Sequence, residues 1–134
     1  MHPTGNLFVA AVDFWSPSLN ALEMAARFAN QFNGRVLALH VIEKSFQYPE
    51  DITVDADTIE EDLQNHLQNI LQSIARQGIP VEFEIREGNM SRQLSQALHD
   101  HEAAAVFVGI REGRILEDIF IGANTLQLLK SAEI

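Results

Sequence analysis

Four short, apolar-rich runs separated by stretches of helical spacing constrain this chain more than anything else in it. Leu7 to Val12 (LFVAAV), Arg35 to Ile42 (RVLALHVI) and Ala103 to Gly109 (AAAVFVG) carry few polar residues. An extended segment that is apolar on both sides needs cover on both sides, which is the situation of strands inside a parallel sheet. Val81 to Arg86 (VEFEIR) alternates apolar and charged residues instead, so one of its faces is wetter, as near a sheet edge.

Between the runs the period changes to that of a helix. Leu19, Leu22, Ala25, Ala26, Ala29 and Phe32 form one stripe, with Ser16-Pro17 as N-cap and first position and Asn33-Gly34 as the stop. Ile59, Leu63, Leu67, Ile70, Leu71 and Ile74 form a second, predicting a helix from about Asp55 to Gln77 that Gly78-Ile79-Pro80 ends. Met90, Leu94, Ala97 and Leu98 mark a third, with Ser91 as a cap, and a last helix is expected through Leu126, Leu129 and Lys130. The order βαβαβαβα predicts a three-layer α/β domain with an open parallel, Rossmann-like sheet, and residues 1–134 read as a single domain. A further strand usually closes such a domain. Here the chain ends at Ser131-Ala132-Glu133-Ile134, so the fifth strand is expected to be absent, or supplied by a partner that covers the fourth strand's open side.

Composition narrows the function classes. The formal net charge is −10, which repels nucleic-acid and anionic-membrane phosphates. Cysteine is absent, removing disulfides, thiolate metal sites and cysteine nucleophiles, and fitting a reducing, cytoplasmic setting. No apolar run reaches the ~18 residues of a membrane span. Seven of the acids, Glu50, Asp51, Asp55, Asp57, Glu60, Glu61 and Asp62, lie within 13 residues. Acids in the first turn of a helix favour its dipole by about 0.3–1 kcal/mol each, and the same block could dock a basic partner or a divalent cation.

Ligands of open parallel sheets bind beyond the carboxyl ends of the strands. The residues at those ends are Asp13, Val41 with Glu43, Glu87 with Gly88, and Gly109 with the loop after it, which carries Gly113 and Gly122. Glycines after a strand let backbone N–H groups approach phosphate oxygens, though three glycines also suit plain turns. Phe46, Tyr48 and Ile52 could form a lid over such a cleft or pack under their own loop. His2, His40, His66, His99 and His101 are not spaced as metal ligands. His40 reads as a hydrogen-bonded residue near the core, and His99 and His101 as solvated residues at a helix end. Nucleophile elbows and zinc motifs are lacking, so neither catalytic nor metal-binding residues are assigned.

VAAVDFWSPS, ALHVIE, REGN and VFVGIREG together resemble the universal stress protein family, and the likeness covers nearly the whole chain. The resemblance implies strand order 3-2-1-4-5, homodimers that often form through the fifth strand, and a non-catalytic stress-response role. It implies ATP or AMP, with Mg, as the ligand, adenine meeting Asp13 and the backbone of Val41. In nucleotide-binding members the phosphates lie on G-x2-G-x9-G followed by Ser or Thr. Gly109 and Gly122 keep that spacing here, but Glu112 takes the middle glycine's place, with Gly113 displaced by one residue. Ala123, followed by Asn124, stands where Ser or Thr belongs. An acid beside phosphate adds repulsion on the order of 1 kcal/mol or more, which Arg111 and Arg114 could offset. The resemblance therefore implies weak nucleotide binding through a degenerate loop. The alternative is a nucleotide-independent interaction module that dimerises or docks a partner by its sheet edge. Asp13 also suits a turn cap. A receiver-type phosphoacceptor would want an acid before it, where residues 10–12 are Ala-Ala-Val.

Overall fold

All five residues of the first strand are buried, and their side chains enter two separate cores in strict alternation. Phe8 and Ala10 face one side with Leu22, Ala25, Leu63, Leu67 and Leu71. Leu7, Val9 and Ala11 face the other with Leu94, Ala97 and Leu98. That alternation is the pleat of a strand with helices above and below, so the domain has three layers.

The computed structural model describes residues 6–44, 46–110 and 127–132. In chain order the elements are β1 (Leu7–Ala11), α1 (Ser16–Gln31), β2 (Arg35–Ile42), α2 (Ile59–Arg76), β3 (Val81–Glu87), α3 (Met90–Asp100), β4 (Ala105–Ile110) and β5 (Gln127–Ala132). A turn of 3-10 helix, Ala56–Thr58, leads into α2. The five strands are parallel in the order β3-β2-β1-β4-β5. The strand order that the resemblance implies holds, and VEFEIR is an edge strand as its alternation implied.

The expectation of a missing fifth strand is corrected. Residues 127–132, read above as part of a last helix, pair with β4 from Gln127 opposite Ala105 to Ala132 opposite Ile110. Six residues are too few to separate the two periods by spacing. What decides is long-range: β4 has a row of backbone groups on its outer side, and QLLKSA satisfies them. The open side of β4 is therefore covered by the chain itself.

Two helix caps are also corrected. Ser16 lies inside α1, whose N-cap is Trp15, without a side-chain hydrogen bond. Pro17 suits the first turn because its missing N–H is not needed there. At α3 the cap is Asn89, whose Oδ1 accepts from the Arg92 N–H at 3.0 Å, and Ser91 is the second residue of the helix. Asn and Ser cap about equally well, so spacing could not choose between them.

One glycine matters to how the layers fit. A Cβ on Gly109 would overlap the carbonyl of Pro17 and the amide of Ser18. Its absence lets the N-terminus of α1 come down onto the end of β4, while near the other end of the helix Phe28 packs edge to face with Phe8 and Phe107 of the sheet.

Candidate functional site

The carboxyl ends of β1, β2 and β4 lie side by side, with Ala11 opposite Leu39 on one flank and Val108 on the other. The chain order reverses across β1, and the crevice expected at such a switch point is present. Asp13, Val41 and Gly109 all line it, with Ala11, Phe46 and Met90. Three residues picked from separate segments of the sequence thus converge on one place. Gly113, Gly122, Ala123 and Asn124 lie outside the described residues. The enclosed part of the crevice is about 20 Å³, room for a water molecule and not for a ring.

Asp13 is built into the turn after β1. Its Oδ1 accepts from the Trp15 N–H at 3.0 Å, which is the turn-capping role its sequence neighbours suggested. The Asp13 N–H donates to Ser18 Oγ at 3.0 Å, and that buried hydroxyl donates to the Trp15 carbonyl at 3.0 Å. Nothing in the sequence marks Ser18 as the clasp. Between them Phe14 holds φ at 71°, a left-handed conformation that a bulky side chain rarely adopts and that costs on the order of 1–3 kcal/mol. The twist turns the ring inward, where it is buried against His40, Tyr48 and His66.

His40 stands one residue before Val41 and is 1% exposed. Nδ1 lies 2.7 Å from the Val12 carbonyl, which only accepts, so Nδ1 carries the proton. Nε2 is then the acceptor for the Tyr48 hydroxyl at 2.8 Å. Burial pushes the Tyr48 phenol up to about 12, so it remains a donor across the ordinary pH range. The hydrogen-bonded, near-core reading of His40 holds.

Tyr48 belongs to the segment that crosses from β2 to α2. Tyr48 and Ile52 pack against the core, while Phe46 lines the crevice and meets the Tyr48 ring at 4.8 Å, so both readings of these side chains apply. The segment is tied to α1's first turn by Trp15 Nε1, which donates to the Gln47 carbonyl at 2.9 Å. His66 of α2 hydrogen-bonds the Thr53 carbonyl at 2.9 Å.

At the other strand ends, Glu43 and Gly88 make structural contacts. Glu43 accepts from the Met90 N–H at 3.3 Å and so meets the start of α3. The Gly88 N–H donates to the Ile42 carbonyl at 3.1 Å, tying the tips of β3 and β2. In the acidic block, Asp62 accepts from the Asp55 N–H and the Thr58 hydroxyl, while Glu60 and Glu61 occupy the first turn of α2. On the β3 edge, burial alone would raise Glu84, but hydrogen bonds from Arg86 and His101 outweigh it and hold the carboxyl below the usual glutamate value. His101 is thus paired across to β3 rather than solvated, which corrects its reading; His99 is exposed. Among the described residues no group of three His or carboxylate side chains could hold a metal ion. No described helix is long and apolar enough to cross a membrane.

The family model described as the universal stress protein family matches residues 7–134, and the chain belongs to that family. Solved structures agree on the fold. A universal stress protein family member from Burkholderia pseudomallei is 18% identical, with 93% of this chain and 94% of that chain covered and a TM-score of 0.72. One from Archaeoglobus fulgidus in complex with dAMP is 18% identical, with 94% and 96% covered and a TM-score of 0.68. One from Arabidopsis thaliana with AMP bound is 17% identical, with 93% and 91% covered and a TM-score of 0.63. A search of curated proteins returns no significant match.

Proposed function

We propose that this universal stress protein is a non-catalytic stress-response module, working as a homodimer in the cytoplasm, that binds ATP or AMP weakly in the crevice beyond β1, β2 and β4. The observation that carries the reading is the convergence of Asp13, Val41 and Gly109 on that crevice. Solved relatives bound to dAMP and AMP support an adenine nucleotide as the ligand. Adenine would meet the Asp13 carboxylate and the Val41 backbone. The phosphates, with any Mg²⁺, would lie toward Gly109, Gly113, Gly122, Ala123 and Asn124, where Glu112 weakens the hold by repulsion.

Calorimetric titration with AMP and with Mg-ATP tests this. Heat with a Kd in the micromolar range or weaker is expected. Asp13→Asn keeps an acceptor for the Trp15 N–H but removes the charge, and is expected to weaken binding about tenfold, the scale of a charged hydrogen bond. Glu112→Gly should strengthen binding and Gly122→Asp abolish it. No heat with either nucleotide overturns the reading in favour of a nucleotide-independent interaction module, which the small enclosed volume favours. Such a module would dock through an edge strand, β3 or β5, and sedimentation would show its self-association.

A further inference from the structure

We propose that residues 46–54 are a latched strap over the crevice, held shut by the Tyr48–His40 hydrogen bond, and that a ring-bearing ligand enters only when this latch releases and Phe46 swings out. This rests on the reading of the crevice as a nucleotide site and adds how that site is regulated.

Space requires it first. The crevice encloses about 20 Å³, while Phe46 forms part of its wall. A pocket that buries a small organic ligand measures roughly 300–1,000 Å³. The floor cannot yield, because Ala11, Val12, Leu39 and Val108 are buried strand-end residues packed into the two cores. Two described walls are irregular chain: the turn at Asp13, which is clasped by Ser18 and the Trp15 N–H, and the strap, which contributes Phe46.

The fastening is the second observation. Three side chains from three different elements hold the strap: Trp15 on the Gln47 carbonyl, His40 on the Tyr48 hydroxyl and His66 on the Thr53 carbonyl. Two of them grip backbone carbonyls near its ends. The middle one alone is made to a strap side chain, and it grips from the buried wall of the crevice itself, one residue from Val41. Phe46 and Tyr48 pack ring against ring, so movement of Tyr48 carries Phe46 with it. Each tie is worth about 0.5–1.5 kcal/mol net, because water replaces a released partner. Tyr48, Ile52 and Val54 add partial burial against the core, and ties of this size keep the strap shut most of the time yet let it open without unfolding the sheet.

The chain contains one tryptophan and one tyrosine, and both are in this device. Trp15 fluorescence therefore reports the strap without a ligand or a label. The variant is Tyr48→Phe, which keeps the ring in the core and deletes the hydroxyl. Acrylamide quenching of Trp15 in the ligand-free protein is expected to rise severalfold, and unchanged quenching overturns the latch whatever the crevice binds. Stopped-flow association of AMP is expected to be about three- to tenfold faster in Tyr48→Phe than in the natural chain. Equal association rates overturn the gate while leaving the nucleotide reading intact. If AMP binds neither protein, the nucleotide reading has failed, and with it the claim that the strap gates such a site. Circular dichroism of the variant should match the natural chain; loss of helix signal would show that Tyr48 holds the fold rather than a strap, and would also overturn the proposal.

Discussion

The floor and the cover of the crevice are held by different forces. At the floor, Ala11, Leu39 and Val108 are buried, and the strands that carry them, β1, β2 and β4, are each paired on both edges. The cover, residues 46–54, is half-buried or exposed throughout; Tyr48, Ile52 and Val54 lean on the core from one side only, and side-chain hydrogen bonds add the fastening to its neighbours. Burying a large aliphatic side chain stabilises by about 1.5–3 kcal/mol, and dozens of such contributions act together. Hydrogen bonds exchange with water at little net cost. A binding site built this way keeps its geometry in one part and its access in another.

The contrast can be broken most severely from the floor side. Leu67→Ala, at a fully buried position of α2, should lower unfolding free energy by about 2–5 kcal/mol in urea titration. A loss under 1 kcal/mol would mean that the helical layer tolerates gaps and is no rigid platform. Next is Gly109→Ala. Backbone of Pro17 and Ser18 must shift to admit the methyl group, so a loss of about 1–3 kcal/mol is expected by the same titration. This loss should appear with no nucleotide present, separating the packing role of Gly109 from any phosphate contact.

The smallest effect sharpens the comparison from the cover. With a single tyrosine, tyrosinate absorbance on alkaline titration reads Tyr48 alone. Ionisation is expected near 12 in the native protein and near the ordinary value of 10.0 in urea. Because the folded state holds the proton more tightly, this contribution to stability is whole below pH 10 and declines as pH rises toward 12. Native ionisation at 10 would place the phenol in water and detach it from His40.

The sequence made the sheet legible because burial on both faces leaves a mark. LFVAAV and RVLALHVI match β1 and β2 almost to the residue, and Asp13, Val41 and Gly109 meet where strand-end reasoning put them. β5 was missed because its partner, β4, lies outside the local window and QLLKSA has no distinctive period. The strap's fastenings were illegible for a related reason. Trp15 with Gln47 and His66 with Thr53 are 32 and 13 residues apart, and no local pattern announces a hydrogen bond at those separations. Tyr48 was visible as an aromatic in a loop. Only the buried imidazole nearby shows which way its hydroxyl must point.

The close seat of Pro17 on Gly109 bears on how glycine fingerprints are read. At position 109 hydrogen is the largest substituent the neighbouring turn admits, whether or not an anion ever rests above it. A descendant that had lost its ligand would still be obliged to keep this glycine. A glycine at this place reports how closely a helix sits on a strand, and is not by itself a sign of phosphate.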